Sequence, residues 1–258
     1  MIFRILALGD VAGPNAVKRI KEELCGIRDE QNVDFVVANG ENSAASNGID
    51  IQSANTLFQY GVDAITTGNH TFKRREIREY LDYTRGIVRP GNFPPDTSGR
   101  GYTVLYCKNL RILVMHVLGV IYLEPLACPF HTVDRMLKGA EGKYDISILD
   151  IHAEATSEKI AMSHYFDGKI DIIFGTHTHV QTADERIMPN GTAYITDLGM
   201  CGPDDSVLGI KTENIIEKLT THMPVKFDFS ENHVTLHGAV FDYDTDMKKV
   251  VRVERFVR

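Results

Sequence analysis

The chain has 258 residues, of which 43% are hydrophobic and 24% charged, a balance typical of a globular protein and not of a disordered one. Its formal net charge of −7 argues against binding along a nucleic-acid backbone, which needs clustered lysine and arginine side chains. The length allows a sizeable buried core, and we expect a single α/β domain over residues 1–258.

The first half of the chain alternates short apolar runs with segments of helical periodicity. Strands are predicted at Phe3–Leu8, Phe35–Ala38 and Ala64–Thr67, and helices at Val17–Ile27, Ile51–Tyr60 and Ile77–Tyr83. Strands that alternate with helices indicate a parallel sheet.

The second half is predicted to supply a further sheet. Arg89–Pro95 holds three of the nine prolines and must be irregular, and Lys108-Asn109 is predicted to join a hairpin. Further strands are predicted at Ile146–Ile151, Ile170–Phe174, Val225–Phe229, Val234–Phe241 and Val250–Phe256. The whole pattern predicts two sheets in a sandwich flanked by helices.

The N-terminal apolar run is too short for a secretory signal, and no stretch reaches the roughly 18 apolar residues of a membrane span. The four cysteines are scattered, without a C-x-x-C pair, and are predicted to be reduced thiols. We therefore expect a cytoplasmic protein that does not bind a membrane.

Five of the predicted strands end in clusters of possible metal ligands. The clusters are Gly9-Asp10, Gly40-Glu41-Asn42, Gly68-Asn69-His70, His152 and Gly175-Thr176-His177-Thr178-His179. Sites in open α/β sheets form at the carboxyl ends of strands, and glycine lets the backbone come close to an ion. Core packing alone does not explain five such clusters on one edge.

The residue types in these clusters favour metal-assisted phosphoryl chemistry. The predicted ligands are Asp10, Glu41, Asn42, Asn69, His152, His177 and His179. This mixed nitrogen and oxygen set without thiolate suits iron, manganese or zinc. Glu41 offers two oxygens that could bridge two ions. Two ions about 3.5–4 Å apart clamp a phosphoryl group and activate a bridging water, which predicts a two-metal phosphodiesterase.

Taken singly, each of these residues has a plain structural alternative. Asp10 could be a helix N-cap, Glu41-Asn42 an ordinary loop and His152 a buried core histidine. His116, at the end of another predicted strand, could line the site, and the remaining histidines are expected to be structural or exposed.

At these residues the chain resembles the calcineurin-like metallophosphoesterase superfamily, and within it the YmdB-like family. The matching segments are Gly9-Asp10-Val11, Ala38–Asn42, Thr67–Thr71, Val88–Pro94, Asp150–Lys159, Gly175–Asp184 and Thr196–Pro203. The resemblance spans nearly the whole chain.

The resemblance implies a four-layer α/β/β/α sandwich with two metal ions. Iron or manganese is the preferred metal, and zinc or magnesium is a further option. Asp10, Glu41, Asn42 and His179 would hold one ion, and Glu41, Asn69, His152 and His177 the other. It implies hydrolysis of small cyclic nucleotides of the 2′,3′ type by a metal-bridging hydroxide, with His70 as the proton donor, and a homo-oligomer.

This sequence also departs from the patterns it resembles. Ala12 stands where the wider superfamily has a histidine, and Thr71 where it has an aspartate; the YmdB-like family shares both differences. Gly13–Ala16 lacks the Gly-Arg pair that this family usually has, and Phe72-Lys73 replaces an aromatic-acidic pair.

Two other functions remain open from the sequence. One is a phosphomonoesterase or nuclease that uses the same cage, with Lys73-Arg74-Arg75 holding a phosphate. The other is a regulatory protein in which the metals stabilise the fold and catalysis is weak or absent.

Overall fold

The computed structural model describes residues 1–258, which form two facing β-sheets. The first sheet contains β1 (Ile2–Val11), β2 (Phe35–Asn39), β3 (Ala64–Thr66), β4 (Ile87–Val88), β11 (Met200–Pro203), β12 (Val234–Thr235), β13 (His237–Asp244) and β14 (Lys249–Val257). At its centre, β1 runs parallel to β2 and antiparallel to β13, and the last residues of β1 pair with β11.

The second sheet has the order β5-β6-β7-β8-β10-β9. Its strands are β5 (Tyr102–Cys107), β6 (Leu110–Leu118), β7 (Ile146–His152), β8 (Ile172–Thr176), β9 (Arg186–Ile187) and β10 (Ala193–Ile195). The four inner strands are parallel and the two edge strands antiparallel, so the carboxyl ends of β7 and β8 open at the same edge.

Helices cover both outer faces of the pair of sheets. They are α1 (Gly13–Gln31), α2 (Ile51–Gln59), α3 (Ile77–Tyr83), α4 (Pro129–Ala140), α5 (Thr156–Tyr165) and α6 (Thr212–Thr221). Buried residues of α1, α2 and α3 pack with the first sheet, and those of α4 and α5 with the second. This confirms the four-layer α/β/β/α sandwich. None of the six helices combines the length and apolar character needed to cross a membrane.

The alternation of side chains along β1 builds two separate cores. Phe3, Ile5 and Ala7 point into the core between the sheets, whereas Leu6 and Leu8 point into the core under the helices. This is the period of two expected of a strand buried on both faces. Because both faces of the central part of β1 are buried, its Leu6–Leu8 segment is wholly apolar, and Asp10 lies near the end of the strand.

The structure differs from the sequence prediction in one strand and two helices. The strand predicted at Val225–Phe229 is wrong, since only Phe229 pairs, through an isolated bridge to Ile210. Two helices, α4 and α6, were not predicted, and α6 has no buried residue. The alternating apolar residues at 225–229 imitate a strand, but two of them line a cavity instead.

Candidate metal centre

The seven predicted ligands come from the carboxyl ends of strands in both sheets. Asp10 lies on β1, Glu41 and Asn42 follow β2, and Asn69 follows β3. His152 ends β7, and the segment after β8 carries His177 and His179. Four of the seven line a cavity of about 450 Å³ together with His70, namely Glu41, Asn42, His177 and His179. Asp10, Asn69 and His152 are not part of its lining.

Three possible ligand atoms surround Nε2 of the His152 imidazole. Its Nε2 lies 3.0 Å from Glu41 Oε1, 3.1 Å from Asn69 Oδ1 and 3.0 Å from His177 Nδ1. Neighbouring ligands bound at about 2.1 Å around an octahedral ion are about 3.0 Å apart. The spacing of these atoms therefore fits one coordination shell.

A second group of donors adjoins the first through Glu41. Asp10 Oδ1 lies 3.6 Å from His179 Nε2 and is buried without a hydrogen-bond partner. The Asn42 amide lies 3.4 Å from His179 Nε2 and 3.1 Å from Glu41 Oε1. An orphaned buried carboxylate oxygen is costly unless a cation or donor reaches it, so this group also fits a metal ion.

Charge is concentrated at these side chains. Burial alone would raise the pKa of the Glu41 carboxyl, but His152 and His70 outweigh it and hold that pKa well below its usual range. Burial opposes the charged form of His152, yet Glu41, Asp10 and Asp150 raise its pKa to about 9. A metal ion must displace this proton, so we expect metal affinity to fall as the pH is lowered.

A buried hydrogen-bond chain fixes the orientation of His152. Its Nδ1 lies 2.8 Å from Thr176 Oγ1, which donates to Asp150 Oδ1 at 2.7 Å. Asn39 Nδ2 also donates to Asp150, at 3.1 Å. Because Nδ1 is occupied, Nε2 is left for the cage, the usual arrangement behind a metal-binding histidine. The sequence prediction missed Asp150, although a carboxylate inside the apolar run of β7 was an available signal.

The His177–His179 segment is held by a buried ion pair that the sequence prediction also missed. Lys159 Nζ donates to Asp197 Oδ2 at 2.6 Å and to the Thr176 carbonyl at 2.7 Å. The Thr178 hydroxyl donates to the same Asp197 oxygen at 2.8 Å. His177 itself has a φ of 100°, in the left-handed region that side chains rarely adopt. The pair therefore fixes the backbone on both sides of a strained residue.

Replacing Lys159 by methionine is expected to destabilise the protein strongly, because it leaves Asp197 buried and unpaired. Removing one partner of a buried pair costs about 3–5 kcal/mol. In a chain of this size, that lowers the melting temperature by about 6–20 °C in a calorimetric scan. Lys18→Met, in the exposed pair with Glu22, is the control and should change stability by less than about 0.5 kcal/mol. Equal effects of the two substitutions would contradict this role of Lys159.

Gly68 allows the cage residues to come together. A Cβ on Gly68 would overlap both Glu41 Oε2 and His152 Nε2. Residue 68 must therefore be glycine, because the side chains of Glu41 and His152 fill the space that any larger residue would need.

We expect Gly68→Ala to displace Glu41 and His152 and to abolish metal binding, measured as metal content after purification. Gly26→Ala is the matched control, because a Cβ on Gly26 would have no neighbour within 4 Å and the residue lies on α1. That control should keep its metals and gain about 0.5–1 kcal/mol of stability. Full metal content in Gly68→Ala would contradict the proposed cage.

His70 lies at the mouth of the cage. Its backbone nitrogen donates to Glu41 Oε2 at 2.9 Å, and its Nδ1 lies 3.0 Å from Asn42 Oδ1. Its Nε2, on the other side of the ring, lies 3.3 Å from Asn47 Nδ2 in the cavity. Thr71 does not contact the His70 ring; its hydroxyl instead donates to the Gly68 carbonyl at 2.6 Å and closes the turn.

Other residues considered from the sequence lie elsewhere. His116 is buried beneath the cage, with Nδ1 3.1 Å from the Asp150 carbonyl, and does not line the cavity. Ala12, not Asp10, is the N-cap of α1. Arg74 donates to Ser46 Oγ and to the Asn47 carbonyl, so it holds a loop instead of facing the cavity.

The four-layer fold is shared with several solved structures. A Staphylococcus aureus protein assigned as a 5′-nucleotidase superposes with a TM-score of 0.64 at 14% identity, over 99% of this chain and 54% of that one, which shows the shared fold. Two structures are much more similar, each with a TM-score of 0.93. A hypothetical protein of Thermus thermophilus is 36% identical over 99% of both chains. A phosphatase of Mycoplasma pneumoniae is 34% identical over 100% of this chain and 94% of that one.

The chain belongs to the family described as YmdB-like protein, which matches residues 6–256. A Bacillus subtilis relative, named 2′,3′-cyclic-nucleotide 2′-phosphodiesterase, is 42% identical over 99% of this chain and 97% of its own length. The family predicted from the sequence motifs is thus confirmed.

Proposed function

We propose that this protein is a metal-dependent phosphodiesterase that hydrolyses 2′,3′-cyclic nucleotides. Hydrolysis of phosphoric esters as a class follows from the family and from the identity to the Bacillus subtilis enzyme. The observation that carries the finer proposal is the cluster of Glu41, His152 and His177. It adjoins a cavity that is also lined by Asn42, His70 and His179.

The charge of the cavity supports a requirement for metal ions. No lysine or arginine lines it, whereas Glu41 and Glu154 do. A phosphodiester is an anion, and these carboxylates would repel it unless cations were bound. Iron or manganese suits the donor set best, with zinc or magnesium as further candidates.

The two proposed ligand sets share Glu41. Asp10, Glu41, Asn42 and His179 would hold one ion, and Glu41, Asn69, His152 and His177 the other. Two bound ions would supply Lewis acidity, neutralising charge on the phosphoryl group and lowering the pKa of a coordinated water.

We assign His70 as the proton donor to the leaving oxygen. Hydroxide adds to phosphorus, the bond from phosphorus to O2′ breaks, and a proton on His70 Nε2 passes to O2′, which yields the 3′-monophosphate. The contact of Nδ1 with Asn42 Oδ1 orients the ring so that Nε2 faces the cavity. A histidine side chain is suited to such transfer at neutral pH.

Further expectations accompany this proposal. Residues 1–258 would act as one domain, in the cytoplasm, on small substrates and not on long nucleic acid. The free state of all four cysteines supports a reducing compartment. A homo-oligomer is also proposed, and the exposed apolar residues Ile216, Leu219 and Met223 in and beside α6 support it.

Turnover of matched substrates tests the function. The metal-loaded protein should convert 2′,3′-cyclic AMP to 3′-AMP faster than it hydrolyses 3′,5′-cyclic AMP, p-nitrophenyl phosphate or single-stranded RNA. Chelation should abolish turnover, and manganese or iron(II) should restore it. Preference for the monoester or the RNA would favour the phosphomonoesterase or nuclease alternative. No turnover of any of these four substrates would favour the alternative of a regulatory protein.

A further inference from the structure

One side of the cavity differs from the metal centre in being apolar and uncharged. We call this side the apolar wall; it consists of Leu208, Ile210, Phe227 and Phe229. Leu208 is 50% exposed and Phe227 49% exposed, so both present their surfaces to the cavity and solvent. Exposed aromatic and aliphatic side chains beside a polar site indicate a place for an apolar part of a ligand.

The apolar wall is fixed relative to the metal centre. The carbonyl of Leu208 lies 3.2 Å from His179 Nδ1, so one residue of the wall positions a proposed metal ligand. Backbone hydrogen bonds of 2.9 Å, from Lys211 to Asp228 and from Ser230 to Gly209, join the two segments that carry the wall. The wall is therefore part of the built site and not a loose loop.

The wall also packs against the loop after β1. A Cβ on Gly13 would lie 2.9–3.1 Å from three ring atoms of Phe229, so the loop after β1 packs directly on that ring. Ala12, the residue before Gly13, lines the same cavity. The absence of a side chain at Gly13 thus lets this loop pack closely on Phe229 and fix its ring.

From this geometry we infer that the apolar wall is a nucleobase subsite, with Phe227 as the residue on which the base stacks. The inference rests on the proposed function, which places a cyclic phosphate at the metal centre. The remaining part of such a substrate is a ribose and a flat base, and about 450 Å³ suffices for a molecule of that size. Phe229 is held under the Gly13 loop, whereas the half-exposed ring of Phe227 is free to accept a π-face.

Two substrates with the same reacting group separate this inference from the function itself. We would compare 2′,3′-cyclic AMP with the 2′,3′-cyclic phosphate of methyl β-ribofuranoside, which has no base. Phe227→Ala should lower kcat/KM for the nucleotide by about 5- to 100-fold, mainly through KM, and leave the abasic substrate unchanged. Phe227→Leu should be intermediate, because it keeps apolar surface without a flat ring. Equal losses on both substrates, or no loss on either, would overturn the subsite.

A binding measurement serves as an independent readout. The chain has no tryptophan, so Phe227→Trp carries a single indole. Its fluorescence should be quenched by the product 3′-AMP and not by the methyl riboside 3-phosphate. Tyr122→Trp, 87% exposed and outside the cavity lining, is the control and should respond to neither. If the wild-type protein hydrolyses neither substrate, the proposed function fails. In that case, quenching of Phe227→Trp by 3′-AMP would still support the base subsite, and a lack of quenching would overturn it.

Discussion

Glu41→Ala is expected to abolish metal binding and turnover together. Glu41 belongs to both proposed ligand sets, and its carboxylate contacts His152 at 3.0 Å and the His70 backbone at 2.9 Å. Its Oε1 also accepts from the Asn42 amide at 3.1 Å, so its carboxylate adjoins both groups of donors. Because bound metal contributes several kcal/mol of transition-state stabilisation, kcat/KM should fall by at least about 10³-fold.

Metal content by mass spectrometry and turnover of 2′,3′-cyclic AMP should be measured on the same preparation of this variant. Glu22→Ala, an exposed acidic residue on α1, is the control and should match the wild type in both. A Glu41→Ala protein that keeps two metals per chain would show that Glu41 is not shared by the two ligand sets. Retained turnover without metals would contradict the metal requirement.

His70→Ala is expected to lower kcat by about 10²- to 10⁴-fold while the metals remain bound, because a general acid contributes that much. Metal retention follows from the geometry, since the contact of residue 70 with Glu41 Oε2 is made by the backbone and survives in alanine.

The control for the loss of an imidazole is His164→Ala, because His164 is an exposed histidine on α5. This control should leave kcat unchanged. A His70→Ala enzyme with near-normal kcat would show that the proton comes from another group. A variant that loses its metals as well would assign His70 to the cage instead.

The positions of the proposed donor residues at strand ends were predictable because they follow a local rule. The apolar runs ending in Asp10, Glu41, Asn69 and His152 are short, clear strands, and the carboxyl ends of parallel strands meet at one edge. The four-layer arrangement was implied by the resemblance, and the pattern of runs alone predicted two sheets flanked by helices.

The supporting residues were not predictable in the same way, because they act through contacts distant in sequence. Lys159 and Asp197 are 38 residues apart and meet only when α5 packs under the His177 loop. Phe227 and Phe229 alternate as in a strand, but they face a cavity whose other walls come from segments as distant in the chain as Ala12. Neither propensity nor periodicity encodes such long-range partners.

Metal content of the purified protein, coupled to hydrolysis of 2′,3′-cyclic AMP by the same sample, tests the central claim most directly. We predict about two metal ions per chain and release of 3′-AMP, with both lost after chelation and both regained on reloading with manganese or iron(II). Fewer than one ion per chain after reloading would contradict the two-metal centre, and two ions without turnover of any phosphodiester would contradict its catalytic role.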